Sequence, residues 1–321
     1  MSSLPPAAAT RSSGPAGAPL AGILFGATAS GKTDLALALA ARLPIEVISA
    51  DSRQVYRHLD IGTAKPTPAE RRAVPHHLVD ILELDATYNA ARFAADALAL
   101  AATVREHGRV PLVVGGAGFY LKVLEEGLFH PPYDEAELSA VRAEVATWST
   151  ETLRQELGAR DPERLAAIHP NDRYRLSRAL EICIAAGRSV TALSAERARP
   201  ERHFVKFHLQ IERAALHRRI AARTSGMLEA GWVEEVRTLL QGGTSPELPG
   251  LATLGYPHVV AHVAGRIDRA RLVQLVERDT RRFARHQDTW FRKARAATPL
   301  AAGDPDAGRR LEVGLRAAFG A

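Results

Sequence analysis

The chain has 321 residues, 46% hydrophobic and 24% charged, which is enough for one large or two smaller globular domains and excludes a wholly disordered or fibrous chain. Its 42 Lys and Arg residues exceed its 36 Asp and Glu residues, and the resulting net charge of +6 favours anionic partners without identifying one. The single cysteine, Cys183, excludes an internal disulfide and a cysteine-based zinc finger.

The N-terminal residues and the hydropathy pattern bear on location. No stretch approaches the roughly 18 apolar residues that a membrane span requires, so we expect no contact with the membrane interior. Residues 1–19 are rich in Ala, Pro, Ser and Gly, which predicts a disordered tail. This tail lacks the apolar core of a signal peptide, and together with the cysteine content this predicts a cytoplasmic protein.

Short apolar segments alternate with helical patterns along the chain. Five of these segments predict buried parallel strands: 22–26, 45–50, 77–81, 110–116 and 204–211. Between them, Asp34–Leu43 and Ala90–Glu106 are rich in Ala and Leu and end at Pro44 and Gly108, which predicts two crossover helices. The alternation predicts a doubly wound parallel α/β sheet.

The pattern changes at residues 130–133, where His, two Pro and Tyr follow one another. The segment 130–202 continues as charged amphipathic helices without a convincing strand, and the α/β pattern then returns. Beyond the last predicted strand we expect only helices, apart from a loop rich in Gly and Pro at 241–250. The sequence thus predicts an α/β core at 20–129 and 203–321, interrupted by a helical insertion at 130–202.

The strongest motif is GATASGKT at Gly26–Thr33, which fits G-x-x-x-x-G-K-[ST] and lies between a predicted strand and a predicted helix. It makes the predicted fold P-loop NTPase-like. Lys32 would neutralise a diphosphate, and the Thr33 hydroxyl would coordinate Mg²⁺, the cofactor that we predict. A nucleoside triphosphate is the default ligand of such a loop. The predicted diphosphate-binding residues are Gly26, Ala27, Thr28, Ala29, Ser30, Gly31, Lys32 and Thr33.

A carboxylate and a pair of glycines follow two other strands. Asp51 is expected at the sheet edge that carries the phosphate loop, where it can act as a general base, a Mg²⁺ ligand or a structural cap, and the residues alone leave these roles open. Gly115–Gly116 allow close approach to a ligand, and no acidic residue follows them, which disfavours an ordinary ATPase. The loop with Thr63 and Lys65 either covers the site or is an ordinary turn.

Seven motifs occur in the order seen in one family: GATASGKT, SADSRQVY, DIGTAKP, VGGAGFYLK, HPNDRYRLSRALE, LGYP and RHQDTWFR. From about residue 22 to 295 the chain resembles bacterial tRNA dimethylallyltransferases. The resemblance implies transfer of a dimethylallyl group from dimethylallyl diphosphate to N6 of the adenine on the 3′ side of the anticodon, with release of diphosphate. It implies the tRNA anticodon stem-loop as the partner.

The resemblance also implies residue roles. Asp51 would be the general base, while Lys32 and Arg223 would act on the diphosphate as further catalytic residues. Ala117 stands where the family has a threonine that contacts RNA, and Pro257 and His286 replace basic residues of the family. The positions that match its tRNA-binding pattern are Asp51, Ser52, Arg53, Gln54, Ala117, Tyr174, Arg175, Leu176, Ser177, Arg178, Gly255, Tyr256, Arg281, Arg285 and Gln287.

A basic helix is predicted at 268–295, where nine Arg and Lys residues stand against four Asp and Glu. The spacing predicts one face with Arg278, Arg281, Arg285 and Arg292, and a core-facing stripe with Leu272, Val276, Phe283 and Trp290. A second cationic patch contains Arg173, Arg175 and Arg178. Such a face is either simply solvated or binds the RNA backbone, and the family resemblance favours RNA.

Other readings remain open to test. A small-molecule kinase would share the phosphate loop, and a prenyltransferase of free adenine nucleotides would share it without needing the insertion and the basic helix.

Twelve histidines include no H-E-x-x-H motif, and His258 with His262 is an i, i+4 pair without a carboxylate partner in the sequence pattern, so we expect no zinc site. We expect His76 and His77 to make structural hydrogen bonds before a strand, Cys183 to be buried, and the protein to be monomeric.

Overall fold

The computed structural model describes residues 18–128, 135–196, 200–292, 294 and 296–321. The predicted tail therefore lies almost entirely outside the described residues, as does the segment 130–133. The chain divides into a first unit, which runs up to Glu126 and resumes at Glu201, and a second unit, Gly127–Pro200. The second unit begins three residues before the predicted insertion, 130–202, and ends two residues before it does.

A six-stranded sheet forms the centre of the first unit, and its paired strands all run parallel. The strand order is β3-β2-β4-β1-β5-β6. The strands are β1 (Ala21–Phe25), β2 (Ile45–Ala50), β3 (His76–His77), β4 (Val110–Gly115), β5 (Phe204–Gln210) and β6 (Ala297–Ala301).

The helices of the first unit come before and after the second unit in the chain. They are α1 (Lys32–Ala40), α2 (Pro68–Ala73), α3 (Ala90–Glu106) and α4 (Gly118–Glu126), and then α10 (Arg213–Glu229), α11 (Trp232–Gln241), α12 (Tyr256–Val263), α13 (Arg269–Phe291) and α14 (Ala307–Phe319), with a 3-10 helix at Pro249–Ala252. The second unit contains α5 (Glu135–Ala146), α6 (Thr150–Arg160), α7 (Pro162–Ala166), α8 (Arg173–Ala186) and α9 (Val190–Ala195).

Both faces of the sheet are covered, because the central strands are apolar at nearly every position. Every residue of β1, β2 and β4 is buried. On one face, Phe93 of α3 packs with Phe25 and Ile48 of the strands. On the other face, Leu39 of α1 and Leu311 of α14 pack with strand residues. The structure confirms the predicted doubly wound α/β fold.

The strand register positions the functional edge. Phe25 at the end of β1 and Ala50 at the end of β2 both pair with Gly115 at the end of β4. Three strands therefore end side by side, with the end of β4 between the ends of β1 and β2. This is the edge at which open parallel sheets bind ligands.

Two predictions about the outer strands were wrong. The segment 77–81 contributes only its first residue to β3, because Leu78 and Asp80 have φ angles of 60° and 58° that no strand accommodates. The strand β6 was missed because most of its residues are not buried and it contains Pro299. It lies at the edge of the sheet, where a missing N–H is tolerated and a continuous apolar run is not needed.

The two histidines His76 and His77 form β3 itself rather than preceding a strand. The ring Nδ1 of His76 lies 2.7 Å from the carbonyl oxygen of Val74, and Nε2 of His77 lies 2.6 Å from a carboxylate oxygen of Glu46. The prediction of structural hydrogen bonds is confirmed for both.

A third cluster packs α11, α12 and α13 against the loop that follows β2. Trp232 and Tyr256 are fully buried in it with their rings 5.4 Å apart. Glu235 of α11 accepts hydrogen bonds from the Tyr256 hydroxyl at 2.7 Å and from the N–H groups of Asp60 and Ile61 at 2.8 Å each. The loop is thereby attached to the helices on which α13 rests.

The second unit has its own apolar core. Leu153, Leu157, Leu176 and Leu180 are fully buried there. Cys183 is buried in the same core, as predicted.

The described helices include no candidate for a membrane span, which would need greater length and hydropathy than any of them has.

Phe93 provides a test of the core packing. It is fully buried and stacks on Tyr120 with ring centroids 4.7 Å apart. We expect Phe93→Ala to lower the free energy of unfolding by about 3–5 kcal/mol, because it leaves a cavity between α3 and the sheet. Urea denaturation measures this. Val313→Ala, at a position 58% exposed, is the control and should change stability by less than about 0.5 kcal/mol. Equal effects of the two changes would contradict the packing.

Candidate active site

The phosphate loop connects the end of β1 to the start of α1. Its backbone is left-handed at two positions, Ala29 with φ 61° and Gly31 with φ 99°. Among the described residues no side chain caps α1, whose N-cap is Gly31, so the first amides of the helix have no side-chain acceptor. These amides and the positive end of the helix form an anion-binding arrangement.

Lys32, the first residue of α1, extends back over the loop. Its Nζ donates hydrogen bonds to the carbonyl oxygens of Gly26 at 2.9 Å and Ala27 at 2.7 Å. Burial lowers the pKa of Lys32 to about 8, while the charge of Asp51 raises the pKa and that of Arg223 lowers it. Because both charges act on the ammonium group, the three predicted catalytic residues share one electrostatic environment.

Gln287 of α13 joins the phosphate loop to the end of β4. Its side-chain oxygen accepts a hydrogen bond from the Thr28 N–H at 2.8 Å, and its side-chain NH₂ donates one to the Gly116 carbonyl at 2.8 Å. The residue is only 6% exposed. The family resemblance implies a tRNA contact for Gln287, whereas the structure directs both ends of its amide to the protein backbone. Gln287 therefore positions the loop.

Glycine is required at the end of β4 because the backbone is approached closely there. A Cβ atom at Gly116 would lie 2.3 Å from Nε2 of Gln287, and one at Gly115 would lie 2.1 Å from the carbonyl oxygen of Ala50. The next residue, Ala117, is partly exposed, and its N–H donates to the same Ala50 carbonyl at 3.2 Å. These contacts hold the ends of β2 and β4 together.

Asp51 follows β2 directly and is partly exposed. Its Oδ1 accepts a hydrogen bond from the Arg53 N–H at 2.8 Å, which fixes the carboxylate at the strand end. Ser52 and Arg53 are partly buried. The side-chain NH₂ of Gln54 donates to the carbonyl oxygen of Ala64 at 3.0 Å, which connects the segment after β2 to the next loop.

Two arginines one turn apart on α10 flank the phosphate loop. Nη1 of Arg219 donates to the carbonyl oxygen of Ser30 at 2.7 Å. Burial lowers the pKa of Arg223, and the carboxylates of Asp51 and Asp34 act in the opposite direction. The sequence analysis named Arg223 and missed Arg219, although the i, i+4 spacing on a helix places both on one face.

These elements line a cleft of about 660 Å³. It brings together many of the predicted site residues: Thr28, Ala29, Gly31, Lys32, Thr33, Asp51, Gln54, Arg223 and Gln287. The sequence analysis missed the contributions of Asp34, Ser49, Glu70, Arg219 and Met227 and placed Phe283 in the core, although it also lines the cleft. The lining thus combines cationic, acidic and apolar side chains, which suits a ligand with an anionic head and a short apolar tail.

The loop with Thr63 and Lys65 is held rigidly. The ammonium group of Lys65 is buried and lies 2.7 Å from Oδ1 of Asp60 and 2.5 Å from Oδ1 of Asp80. The Thr63 hydroxyl donates to a backbone carbonyl of the same loop at 2.5 Å. Residues 64–67 line the cleft, so this loop forms part of its wall.

The buried stripe of α13 differs from the predicted one. Its buried residues are Leu272, Val276, Ala284, Gln287 and Phe291. Trp290, predicted to face the core, is 39% exposed, and Phe283 is partly exposed. The prediction failed because the buried stripe includes the polar Gln287. The apolar pattern was therefore assigned to Trp290 instead of its neighbour Phe291.

The basic face of α13 is partly engaged within the helix. Nη1 of Arg281 lies 2.8 Å from a carboxylate oxygen of Glu277, and Arg278 pairs with its neighbour Asp279 at 2.8 Å. Arg285 is exposed. Arg285 is therefore a better candidate for a phosphate contact than Arg278 or Arg281.

Three predicted tRNA contacts are incompatible with the packing as direct side-chain contacts. Tyr256 is fully buried, and its neighbour Gly255 is buried with a φ of 90°. A Cβ at Gly255 would lie 2.4 Å from the Trp232 ring. Leu176 is fully buried in the core of the second unit. Motif similarity does not separate residues that touch RNA from those that support them.

The remaining predicted contacts lie on α8 of the second unit. Tyr174 is 80% exposed, and Ser177 is partly exposed. Arg175 and Arg178 pair with acidic residues of the same segment at 3.3 Å and 2.9 Å.

The histidine pair on α12 has a structural environment. Nε2 of His258 lies 2.8 Å from Oδ2 of Asp279, so the expectation that this pair lacks a carboxylate partner was wrong. Nδ1 of His262 lies 2.9 Å from the carbonyl oxygen of Ile267. In the part of the chain that the structure describes, no three His, Cys, Asp or Glu side chains are grouped to hold a metal ion.

A phosphate loop, a carboxylate and two arginines at one edge of a parallel sheet form the arrangement with which P-loop proteins hold phosphorylated ligands. The IPP transferase family model matches residues 54–294. The chain is 44% identical over 273 residues to tRNA dimethylallyltransferase 1 of Citrifermentans bemidjiense, covering 84% of this chain and 88% of the relative. The chain belongs to the IPP transferase family.

Solved structures agree with this assignment. The full-length tRNA isopentenylpyrophosphate transferase of Bacillus halodurans is 32% identical with a TM-score of 0.67, covering 92% of this chain and 96% of that one. A eukaryotic dimethylallyltransferase described as acting on tRNA is 23% identical with a TM-score of 0.78, covering 91% of this chain and 77% of that one, and shows the shared fold.

Gln287→Glu tests the positioning role. A carboxylate still accepts the Thr28 N–H but cannot donate to the Gly116 carbonyl, and it adds negative charge beside the phosphate loop. We expect the affinity for inorganic diphosphate, measured by calorimetry, to fall roughly tenfold or more, and tRNA affinity to change little. Gln274→Glu, on an exposed part of the same helix, is the control. A loss confined to tRNA binding would instead make Gln287 an RNA contact.

Proposed function

We propose that the chain transfers a dimethylallyl group from dimethylallyl diphosphate to N6 of the adenine on the 3′ side of the anticodon in tRNA. Membership of the IPP transferase family supports prenyl transfer to tRNA. The observation that carries the choice of donor is the lining of the cleft, where the phosphate loop, Asp51 and the apolar residues Met227 and Phe283 face one space.

The phosphate loop accounts for the leaving group. Transfer breaks the bond between the dimethylallyl carbon and the diphosphate oxygen, and diphosphate departs with the electron pair. The loop amides, Lys32 and Arg223 stabilise the charge that develops on this oxygen. Arg219 holds the loop through Ser30. A cradle that serves phosphoryl transfer in other proteins therefore suits a departing diphosphate equally well.

Asp51 would accept the proton that the adenine amine loses. The lone pair of this amine is delocalised into the purine ring, so the nitrogen is a weak nucleophile and removal of its proton during attack helps. Asp51 is held at the strand end by the Arg53 N–H and faces the cleft with Lys32. This placement supports the base role.

Mg²⁺ is the proposed cofactor, and the residues present fit it. Thr33 is exposed at the start of α1 and lines the cleft. Asp34 and Asp51 also line the cleft and offer carboxylate oxygens. Hard oxygen donors of this kind suit Mg²⁺, which takes most of its remaining ligands from phosphate and water. When bound, Mg²⁺ would neutralise part of the diphosphate charge.

The RNA must present an unstacked base. A loop adenine whose N6 reaches the cleft has to leave the stack of its neighbours. The exposed basic residues of α13, Arg285 above all, would hold the phosphates around it. We further propose that the protein acts as a monomer in the cytoplasm, where its tRNA substrate is available.

One assay separates this function from the other candidates. The protein is incubated with Mg²⁺ and dimethylallyl diphosphate together with either tRNA or AMP, and with ATP and no prenyl donor in a third reaction. We expect the tRNA to gain the mass of one dimethylallyl group at the adenine next to the anticodon. A modified AMP with unmodified tRNA would identify a nucleotide prenyltransferase, and consumption of ATP without a change in RNA mass would identify a kinase.

Asp51→Asn tests the general base. The amide keeps the size of the side chain and loses its ability to accept the proton, so we expect single-turnover transfer to fall by about 10²–10⁴-fold. Binding of tRNA, measured separately, should change little. Asp85→Asn, the same change at an exposed position that does not line the cleft, is the control. Near-normal transfer by Asp51→Asn would reject the base role.

Arg285→Ala tests the basic face. Loss of one phosphate contact should weaken tRNA binding and reduce the slope of log affinity against log salt by about 0.7–0.9. Arg309→Ala on α14 removes the same charge from another exposed position and should leave the slope nearly unchanged. Equal slopes for wild type and Arg285→Ala would remove Arg285 from the RNA interface.

A further inference from the structure

Two large aromatic side chains form an exposed patch on the first unit. Phe119 of α4 is 53% exposed and Trp290 of α13 is 39% exposed. Their rings contact each other edge to face, with centroids 6.5 Å apart. Exposed aromatic rings lack the hydrophobic stabilisation that burial would provide. A binding partner that covers both rings would supply it.

The backbone of Gly118 constrains the orientation of the Trp290 ring. A Cβ atom at Gly118 would lie 3.0–3.2 Å from the Cβ, Cγ and Cδ2 atoms of Trp290. The glycine thus allows the indole to lie directly on the backbone at the start of α4. A ring held in this way loses little conformational freedom when a second ring stacks on it.

The patch adjoins the cleft along both elements that carry it. Gly116 and Gln287 line the cleft and are joined by a hydrogen bond. Phe119 follows Gly116 by three residues at the start of α4, and Trp290 follows Gln287 by three residues on α13. Each aromatic residue therefore lies about one helical turn or less from a residue of the cleft wall.

The charges around the patch suit a polyanion. Lys122 lies one turn after Phe119 and is exposed. Arg292, at the end of α13, is exposed as well. A partner that offers a flat aromatic face next to negative charge is a nucleotide of RNA.

We propose that Phe119 and Trp290 form a stacking platform for a nucleobase of the tRNA anticodon loop adjacent to the acceptor adenine. This inference rests on the proposed function and adds a binding site for a second base. Moving the acceptor adenine out of its stack exposes the face of a neighbouring base, and the platform replaces that lost stacking.

The size of the patch favours a base over a protein partner. A specific protein interface buries about 1,200–2,000 Å² in total, whereas this patch offers the exposed parts of two rings. Stacking of a base on an aromatic side chain tolerates any base, because each has a flat π face. The platform would therefore support binding without reading the sequence of the loop.

Binding of an anticodon stem-loop RNA in the absence of the prenyl donor tests the platform. We expect Trp290→Ala to raise Kd roughly tenfold, in the range found when an aromatic partner of a base is removed. Trp290→Phe keeps a ring and should retain most of the affinity. The slope of log Kd against log salt should stay at the wild-type value in both, unlike that of Arg285→Ala, because stacking releases no counterions. Val313→Ala is the control for loss of an exposed apolar side chain.

Tryptophan fluorescence gives a second readout. The chain has three tryptophans, and Trp232 is fully buried while Trp148 packs in the core of the second unit. Stacking of a base on Trp290 should quench the fluorescence of the wild type when RNA is added, and Trp290→Phe should abolish this quench although it still binds RNA. Phe119→Ala should reduce the quench.

RNAs with a single abasic nucleotide identify the base. With the stacked base removed, wild type and Trp290→Ala should bind equally, whereas an abasic site elsewhere in the loop should preserve the tenfold difference. A Kd of Trp290→Ala within twofold of wild type, a quench that persists in Trp290→Phe, or a difference that survives every abasic substitution would overturn the proposal. If wild type binds and prenylates the RNA in these cases, the proposed function stands without the platform; if it modifies no RNA, the function itself fails.

Discussion

The side-chain amide of Gln287 holds three parts of the molecule in place: the phosphate loop, the end of β4 and the basic helix. The bond to Gly116 is buried and the bond from Thr28 is partly buried, so an unpaired polar group there would be costly. The parallel register already brings the ends of β1, β2 and β4 side by side, so one side chain from α13 is enough to set the loop against the sheet. The geometry among Lys32, Asp51 and Arg223 depends on that arrangement.

The helix that is expected to hold RNA, α13, is also the helix that supports the phosphate loop through Gln287. In the proposed function a single element would carry surfaces for both substrates, with buried Gln287 between the exposed Arg285 and the exposed Trp290 along its length. The residues proposed to act on the acceptor and on the donor are separated by a turn or less of this helix. Substitutions on α13 must accordingly be interpreted with both ligands measured separately.

The central fold could be predicted because its pattern is local. Strands β1, β2 and β4 are buried on both faces, so each is a continuous apolar run that the sequence displays directly. The two edge strands show no such apolar run, because β3 is only two residues long and β6 is mostly not buried and contains Pro299. The phosphate loop and Asp51 were found for the same local reason, since each follows a recognisable strand. Arg219 could have been found from its i, i+4 spacing to Arg223. The roles of Gln287, Tyr256 and Trp290 depend on which side chains the neighbouring elements bury, and no spacing rule contains that information.

Ala29 adopts a left-handed backbone that costs an alanine roughly 1–2 kcal/mol relative to its preferred conformations. The hydrogen bonds of Lys32 within the loop do not by themselves account for this conformation, and an isolated peptide of this sequence would relax to another one. Contacts from outside the loop, from Gln287 of α13 and Arg219 of α10, help to hold it, so a substitution that removes them can change the loop without touching any of its residues.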